Sequence, residues 1–155
     1  MTDIKSIGYV FFWDGVFSNF HPIGGNQACT SEKFYMLQKA VAFHDTAAIT
    51  ALNASVTPMS AKKIGRSVQG YDDAIWNKLK IPAMMAALHF KYAVCPEFRD
   101  SLRSSGSLIL VEASPYDRIW GIGFRESEAL ANIDKWGENL LGKCLMDLRK
   151  HYFGS

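Results

Sequence analysis

The chain has 155 residues, of which 48% are hydrophobic and 21% charged. This balance is typical of one globular domain and excludes a disordered or collagen-like chain, and at this length one core can form without disulfides or a structural metal. The formal net charge of +2 is far below that of proteins whose main role is to grip a nucleic-acid backbone. Extended DNA binding is therefore not expected as the main role.

The cysteines and the N-terminal sequence bear on the cellular location. Cys29, Cys95 and Cys144 are widely spaced and belong to no CxxC or HxxxH pattern, so neither a disulfide framework nor a zinc site is predicted. Residues 1–6 lack a cationic segment followed by an apolar one, and no apolar run approaches the roughly 20 residues of a membrane span. We therefore expect a reduced, cytoplasmic protein that is neither secreted nor inserted in a membrane.

Short strands and longer helices are predicted in chain order. The aromatic and β-branched run at 9–13, followed by Asp14-Gly15, predicts a first strand, residues 17–29 predict a loop, and the apolar run at 108–111 predicts a second strand. Capping residues and helical periodicity predict the helices. These cover residues 30–43, 45–52, 57–64, a segment from 72 to 93 that restarts or kinks at Pro82, 95 to about 105, and 139–152.

This set of elements predicts a fold class. Helices predominate, strands are few and short, and no βαβ alternation is present, which favours a predominantly helical α+β domain. No repeat or long linker interrupts the sequence, so a single domain over 1–155 is expected. A Rossmann dinucleotide fold is not expected, because Gly121-Ile122-Gly123 is not followed by a third glycine.

The first predicted helix carries two charges on one face. Glu32 and Lys39 differ by nearly two full turns and lie about 10.5 Å apart along the axis. Tyr35, Met36 and Phe43 share their side, whereas the opposite side contains residues predicted to be core, namely Phe34, Leu37 and Val41. Because unpaired buried charge is costly, either each charge is solvated or paired elsewhere, the ordinary outcome, or the face is the wall of a ligand cleft.

A second carboxylate follows the second predicted strand. A Pro-Tyr-Asp turn presents Asp117, and the next residues include Trp120 and Gly121, which let a ligand approach the backbone closely. The alternative is a turn aspartate beside a core tryptophan. Together with Glu32, Asp117 suggests the two-carboxylate chemistry of glycosidic bond cleavage.

The remaining polar and aromatic candidates each have an ordinary structural explanation. Asn19 can be a turn residue, Arg66 a surface residue and Trp76 a core residue. The four histidines show no metal spacing, and no nucleophile elbow, P-loop or zinc-deaminase motif occurs.

The order of the short motifs resembles the NADAR family of YbiA-like domains, which are related to N-glycosidases acting on ribosyl-nucleotide compounds. The resemblance spans residues 9–152 and departs at Pro82 and in the Glu- and Ala-rich segment 124–136, where a changed substrate mouth is expected. The matching residues are Phe17-Ser18-Asn19-Phe20, Thr30-Ser31-Glu32 with Tyr35 and Gln38-Lys39, Ala61-Lys62 with Gly65-Arg66, Trp76 with Met84, Ala87-Leu88 and Lys91, Val111-Glu112 with Asp117 and Trp120-Gly121-Ile122-Gly123, and Gly137 to Gly142 with Leu145-Met146 and Arg149.

The resemblance implies hydrolysis of the bond between a ribose and a base-like leaving group, with no metal or redox cofactor. The substrate would be a small nucleotide-like compound, either an ADP-ribose derivative or a ribosylaminopyrimidine intermediate of riboflavin biosynthesis, or else an ADP-ribosyl-guanine in nucleic acid. The alternative is a non-catalytic module that senses NAD or ADP-ribose. The near-neutral charge favours a small ligand or a short exposed nucleotide over a long duplex.

On this hypothesis three residues are catalytic. Asp117 would stabilise the cationic sugar, and Glu32 would transfer a proton or activate water, with burial favouring its neutral form. Lys39 would either anchor phosphate or form a Schiff base with the opened sugar. We expect the catalytic residues to share one pocket with the predicted substrate-binding residues Asn19, Tyr35, Arg66, Trp76, Trp120, Gly121 and Asn139.

Overall fold

The computed structural model describes residues 8–154, which fall into two compact units, Asn19–Pro96 and residues 8–18 with 97–154. Helices dominate these residues and are accompanied by one two-stranded sheet, which confirms the predicted α+β class. The single domain over 1–155 stays a prediction. The prediction that the N-terminal sequence is not a secretion signal concerns residues that lie outside the described part. No helix within 8–154 has the length and apolar character that a membrane crossing requires.

The Asn19–Pro96 unit is built from helices with side-chain caps. These are α1 (Ser31–Ala42), α2 (Thr46–Ala54), α3 (Pro58–Arg66) and α4 (Asp73–Val94). Thr30, Asp45, Thr57 and Asp72 each accept a hydrogen bond from a backbone N–H in the first turn of the helix that follows. Such caps satisfy N–H groups that have no partner inside the helix, so the predicted starting points of these helices are confirmed.

Helix α1 is the centre of this unit and packs against α2, α3 and α4. The approach of α3 depends on Gly65, because a Cβ atom at this position would overlap the sulfur of Met36. Apolar side chains from all four helices complete the core: Ala40, Leu52, Ala61, Met84, Ala87 and Leu88.

The sequence predicts that the helix restarts or kinks at Pro82; the restart is wrong, and a kink stays a prediction. Helix α4 continues through Pro82 for 22 residues. A proline in a helix removes one hydrogen bond and crowds the preceding turn. Pro82 lies on an exposed part of α4, while the neighbouring residues Ala83, Met84 and Leu88 are buried. Packing of that buried face outweighs the loss of one backbone hydrogen bond.

The predicted core face of α1 is also wrong. Val41 is 57% exposed, and Phe34 and Leu37 are only half-buried, whereas Glu32, Tyr35 and Met36 are buried. Both sides of α1 are apolar in sequence, so hydrophobicity alone did not distinguish them. The face that carries Glu32 is therefore the one that packs inside its unit.

The other unit pairs two distant strands. Strand β1 (Tyr9–Phe12) runs parallel to β2 (Ile109–Glu112), with Tyr9 opposite Ile109 and Phe12 opposite Glu112. Around them lie α5 (Pro96–Ser104), the single-turn helix α6 (Glu126–Ala129), a 3-10 turn (Leu130–Lys135) and α7 (Leu140–Phe153). The strands lie close to their predicted places, but their parallel pairing was not predicted.

Helix α7 holds the second strand and the loop before it. The helix packs on β2, and Arg149 Nη1 donates to Ser105 Oγ at 2.9 Å and to the Leu108 carbonyl at 2.8 Å. Gly142 lies against the Leu110 carbonyl, so that a Cβ atom there would overlap this oxygen. The contact therefore requires glycine at position 142.

Replacement of Gly142 with alanine is expected to lower the free energy of unfolding by about 1–3 kcal/mol, because the added methyl group meets backbone that cannot move freely. Urea unfolding of the full chain measures this change. Gly8→Ala is the matched control, since a Cβ atom there meets nothing within 4 Å. Equal midpoints for the two variants would contradict the predicted overlap at Gly142.

Candidate active site

Helix α1 places a carboxylate and an amine in one largely buried stripe. Glu32 lies in the first turn and Lys39 in the last. Glu32 is 7% exposed, Tyr35 and Met36 between them are equally buried, and Lys39 is half-buried. Glu32 and Lys39 therefore share one face of α1, as predicted, and most of this face is shielded from solvent.

Asn19 fixes the start of this helix. Its side-chain Oδ1 accepts a hydrogen bond from Ser31 Oγ at 2.8 Å, and its backbone carbonyl accepts from the N–H of Glu32 at 3.1 Å. The side-chain Nδ2 donates to the sulfur of Met84 at 3.5 Å. Asn19 thus links the loop, α1 and α4 directly beside Glu32. Contact of Asn19 with substrate stays a prediction.

Lys39 lies among charges and aromatic rings. Its ammonium is 4.6 Å from the centroid of the Tyr71 ring. Burial is the main cause that lowers the pKa of Lys39, and the charge of Arg66 lowers it further, whereas the charge of Glu32 acts in the opposite direction. These electrostatic effects show that α1 and the end of α3 bring Glu32, Lys39 and Arg66 into one neighbourhood.

Aromatic side chains surround the same stripe. The ring of Trp76 lies 5.5 Å from Tyr35 and 6.2 Å from Phe43, and Phe43 lies 5.4 Å from Tyr71, as measured between ring centroids. Trp76 is only 6% exposed. Trp76 therefore packs as a core residue, which is the ordinary structural explanation that the sequence offered for it. Stacking of a base on Trp76 or Tyr35 stays a prediction.

Two residues of this unit stand out in the structure although the sequence analysis gave them no role. Lys91 is fully buried on α4, where lysine rarely occurs unless it is paired, and only its place in a motif was recognised. Tyr71 was overlooked because it follows Gly70 in the loop before α4, outside any periodic segment. The Gly-Tyr-Asp-Asp sequence signals a turn and a helix cap but says nothing about the ring.

Asp117 occupies a rigid turn in the other unit. Its Oδ1 accepts hydrogen bonds from the backbone N–H groups of Ile119 and Trp120, both at 2.9 Å. The turn closes against β2 at Gly121, where a Cβ atom would lie 2.9 Å from the Glu112 carbonyl. Gly121 is thus required by packing, Trp120 is half-buried, and contact of either with a ligand stays a prediction.

Asn139 braces β2 from the residue that precedes α7. Its backbone adopts a left-handed conformation with φ of 52°. Its side-chain Oδ1 accepts from the Glu112 N–H, and its Nδ2 donates to the Leu110 carbonyl, both at 3.0 Å. The side-chain amide therefore bonds to the backbone of β2 as the backbone of a neighbouring strand would. Its predicted contact with substrate is untested.

The structure thus groups the predicted site residues within each unit. The expectation that a single pocket holds members of both groups stays a prediction. The Asn19–Pro96 unit contains Asn19, Glu32, Tyr35, Lys39, Arg66 and Trp76, and the other unit contains Asp117, Trp120, Gly121 and Asn139.

Within residues 8–154, no cluster of three or more histidine, cysteine or acidic side chains is arranged to hold a metal ion. The three cysteines are free thiols, and burial raises the pKa of Cys144 to about 11. Burial thus disfavours the thiolate, the form of cysteine that acts as a nucleophile.

The candidate active site of this predominantly helical α+β fold thus combines a buried carboxylate with a half-buried amine on one helix. The NADAR domain model matches residues 11–152, so the chain belongs to the NADAR domain family. This match confirms the resemblance seen in the motifs.

Individual relatives agree with the family. An N-glycosidase of Acanthamoeba polyphaga mimivirus is 35% identical over 78% of this chain and 72% of its own length. A chloroplastic riboflavin biosynthesis protein, PYRR of Zea mays, is 32% identical over 96% of this chain, which spans only 25% of the maize protein. The NMR structure of E. coli YbiA superposes with a TM-score of 0.73 at 29% identity, covering 93% of this chain and 84% of YbiA. Together these matches confirm the predicted fold and the prediction of an N-glycosidase enzyme.

Proposed function

We propose that the protein hydrolyses the bond between C1 of a ribose and a nitrogen of a base-like leaving group, in a nucleotide or ADP-ribose derivative. The observation that carries this proposal is the shared face of α1, where Glu32 is buried and Lys39 is half-buried, and where the charge of Arg66 acts on Lys39. Membership of the NADAR family and the name of the mimivirus relative support the same bond class.

Glu32 and Asp117 have different roles in this proposal. Cleavage leaves an electron pair on the departing nitrogen, which needs a proton, and positive charge on the sugar, which needs a carboxylate. Glu32 transfers the proton, because it is the carboxylate enclosed among Tyr35 and Met36. Asp117 stabilises the sugar cation, because its turn bonds hold the carboxylate in one orientation.

Lys39 has two possible roles. As a phosphate anchor it would act with Arg66 as a pair of cations. As a nucleophile its neutral amine would bond to C1 while the bond from C1 to the base nitrogen breaks. The ring oxygen would then leave C1 as a hydroxyl group to give an imine, which water hydrolyses to release the sugar and the amine. The burial that lowers the pKa of Lys39 increases the fraction of neutral amine, which is the form that attacks.

The substitution Lys39→Arg is expected to separate these roles. Arginine keeps the positive charge but is not deprotonated, so an anchor tolerates it with a loss of about tenfold or less, whereas a nucleophile loses turnover by several orders of magnitude. Borohydride added during turnover traps a sugar adduct of the wild type if an imine forms. An active Lys39→Arg enzyme would exclude the nucleophile, and a trapped adduct absent from Lys39→Arg would exclude the simple anchor.

The other predicted contacts complete the proposal. The base would stack on the aromatic rings of Tyr35, Trp76 and Trp120. A phosphate would bind the charge of Arg66, and the absence of a side chain at Gly121 would let the ligand approach the backbone closely. The remaining residues, Asn19 and Asn139, act mainly through the hydrogen bonds that position Glu32 and β2. We also keep a cytoplasmic location and the absence of a cofactor as predictions.

The substrate is tested by parallel incubation with an ADP-ribosylated guanine oligonucleotide, ribosylaminopyrimidine phosphates and NAD, with released bases resolved by mass spectrometry. Release of guanine or of an aminopyrimidine supports the proposal and identifies the substrate class. The name of the maize relative favours the aminopyrimidine. Saturable binding of NAD or ADP-ribose without release of any base would support the sensor alternative and overturn the proposal.

A further inference from the structure

We propose that Tyr71 is a positioning residue for Lys39, whose ammonium group its ring holds in place and stabilises in the charged state. The contact itself carries the inference, since the Lys39 nitrogen lies 4.6 Å from the ring centroid, within the range of a cation–π interaction. The functional consequence rests on the role of Lys39 proposed above.

The Tyr71 ring is held from two sides. Its hydroxyl donates a hydrogen bond to Asp73 Oδ1 at 2.7 Å, in the first turn of α4. Its ring contacts Phe43, just after α1, with 5.4 Å between centroids. Because Tyr71 is 43% exposed, these two contacts rather than burial determine where the ring lies.

The loop that carries Tyr71 is anchored as well. The N–H of Gln69 donates to Asp45 Oδ2 at 2.8 Å, while Oδ1 of the same carboxylate caps α2. Gly70 then adopts a φ of 77°, a conformation that glycine takes without strain, and turns the chain toward Tyr71. The Asp45 carboxylate therefore connects the start of α2 with the loop that carries Tyr71.

The charges near Lys39 explain why such a ring is useful. Arg66, on α3, disfavours the ammonium, as does burial, and Glu32, on α1, favours it. Helix α2 contributes no ionisable side chain, and at the start of α4 Asp73 accepts a hydrogen bond from the Tyr71 hydroxyl. The electron-rich face of Tyr71 therefore adds an attraction that offsets part of the cost of charging Lys39 beside Arg66.

The test is an NMR titration of the Lys39 side chain, assigned with Lys39→Met, in the full-length wild type, Tyr71→Phe and Tyr71→Leu. Phenylalanine keeps the ring and its contact with Phe43 but loses the hydrogen bond to Asp73, so it separates the effect of the ring from that of the hydroxyl. We expect the Lys39 pKa to fall by about half a unit in Tyr71→Leu and by less in Tyr71→Phe. Tyr71→Gln is a second non-aromatic variant, should the leucine variant fold poorly.

An unchanged Lys39 titration in the folded leucine or glutamine variant would overturn the proposal, even if the melting temperature fell, because a merely structural residue would give that result. The titration needs no substrate, so it remains decisive if no glycosidase activity is found. With an active substrate, the limb of the pH–rate profile that follows Lys39 should move to lower pH, further in Tyr71→Leu than in Tyr71→Phe.

Discussion

Replacement of Asp117 with asparagine is expected to lower kcat by about 10²–10³-fold, the loss typical when one preorganised group that stabilises transition-state charge is removed. Asparagine retains an oxygen that accepts the hydrogen bonds from the N–H groups of Ile119 and Trp120, so the turn is preserved and only the negative charge disappears. Steady-state kinetics with the substrate identified in the parallel incubation measure this loss.

The control for this substitution is the thermal unfolding of Asp117→Asn and Asp117→Ala. Alanine removes both turn hydrogen bonds, so it should lower the melting temperature, whereas asparagine should leave it nearly unchanged. A kcat near the wild-type value in Asp117→Asn would exclude the assigned role. Equal melting temperatures in both variants would show that the turn does not depend on these bonds.

Glu32→Gln is expected to lower kcat by about 10²–10⁴-fold, the usual contribution of a general acid or base. Glutamine has the same shape and fits the buried first turn of α1, but it cannot transfer a proton. A riboside with a leaving group that departs without protonation, such as p-nitrophenol, should recover most of the lost rate. Comparison of the two substrates therefore isolates the proton transfer from binding.

The exposed Glu97 supplies the matched control, since Glu97→Gln changes the net charge equally and should leave both rates unchanged. If Glu32→Gln were equally slow on both substrates, Glu32 would not be the proton donor to the leaving group. Unimpaired cleavage of the natural substrate would exclude any catalytic role of Glu32.

Local signals in the sequence predicted most of the helices. Thr30, Asp45 and Thr57 cap the helices they were expected to cap, because capping depends on side chains within one turn. The common face of Glu32 and Lys39 follows from helical spacing alone. These features required no knowledge of distant contacts.

Features that depend on packing were not predictable. The exposure of Val41 and the continuity of α4 through Pro82 are decided by which face meets a neighbouring helix. Similarly, the parallel pairing of β1 with β2 joins segments about a hundred residues apart. No turn sequence connects the two strands directly, so no local pattern predicts that they pair. The use of the Asn139 side chain by β2 is also a tertiary effect, since the sequence indicates only that the asparagine starts the last helix and is a candidate for substrate binding.

Product analysis in ¹⁸O-labelled water tests the central claim most directly, that the bond cleaved joins the ribose to the base nitrogen. The account predicts that the base leaves with its nitrogen intact and without label, and that the sugar product gains a reducing end. Label in the base in place of nitrogen would indicate deamination, and label in a released phosphate would indicate phosphoester cleavage. Either result would contradict an N-glycosidase acting through Glu32 and Asp117.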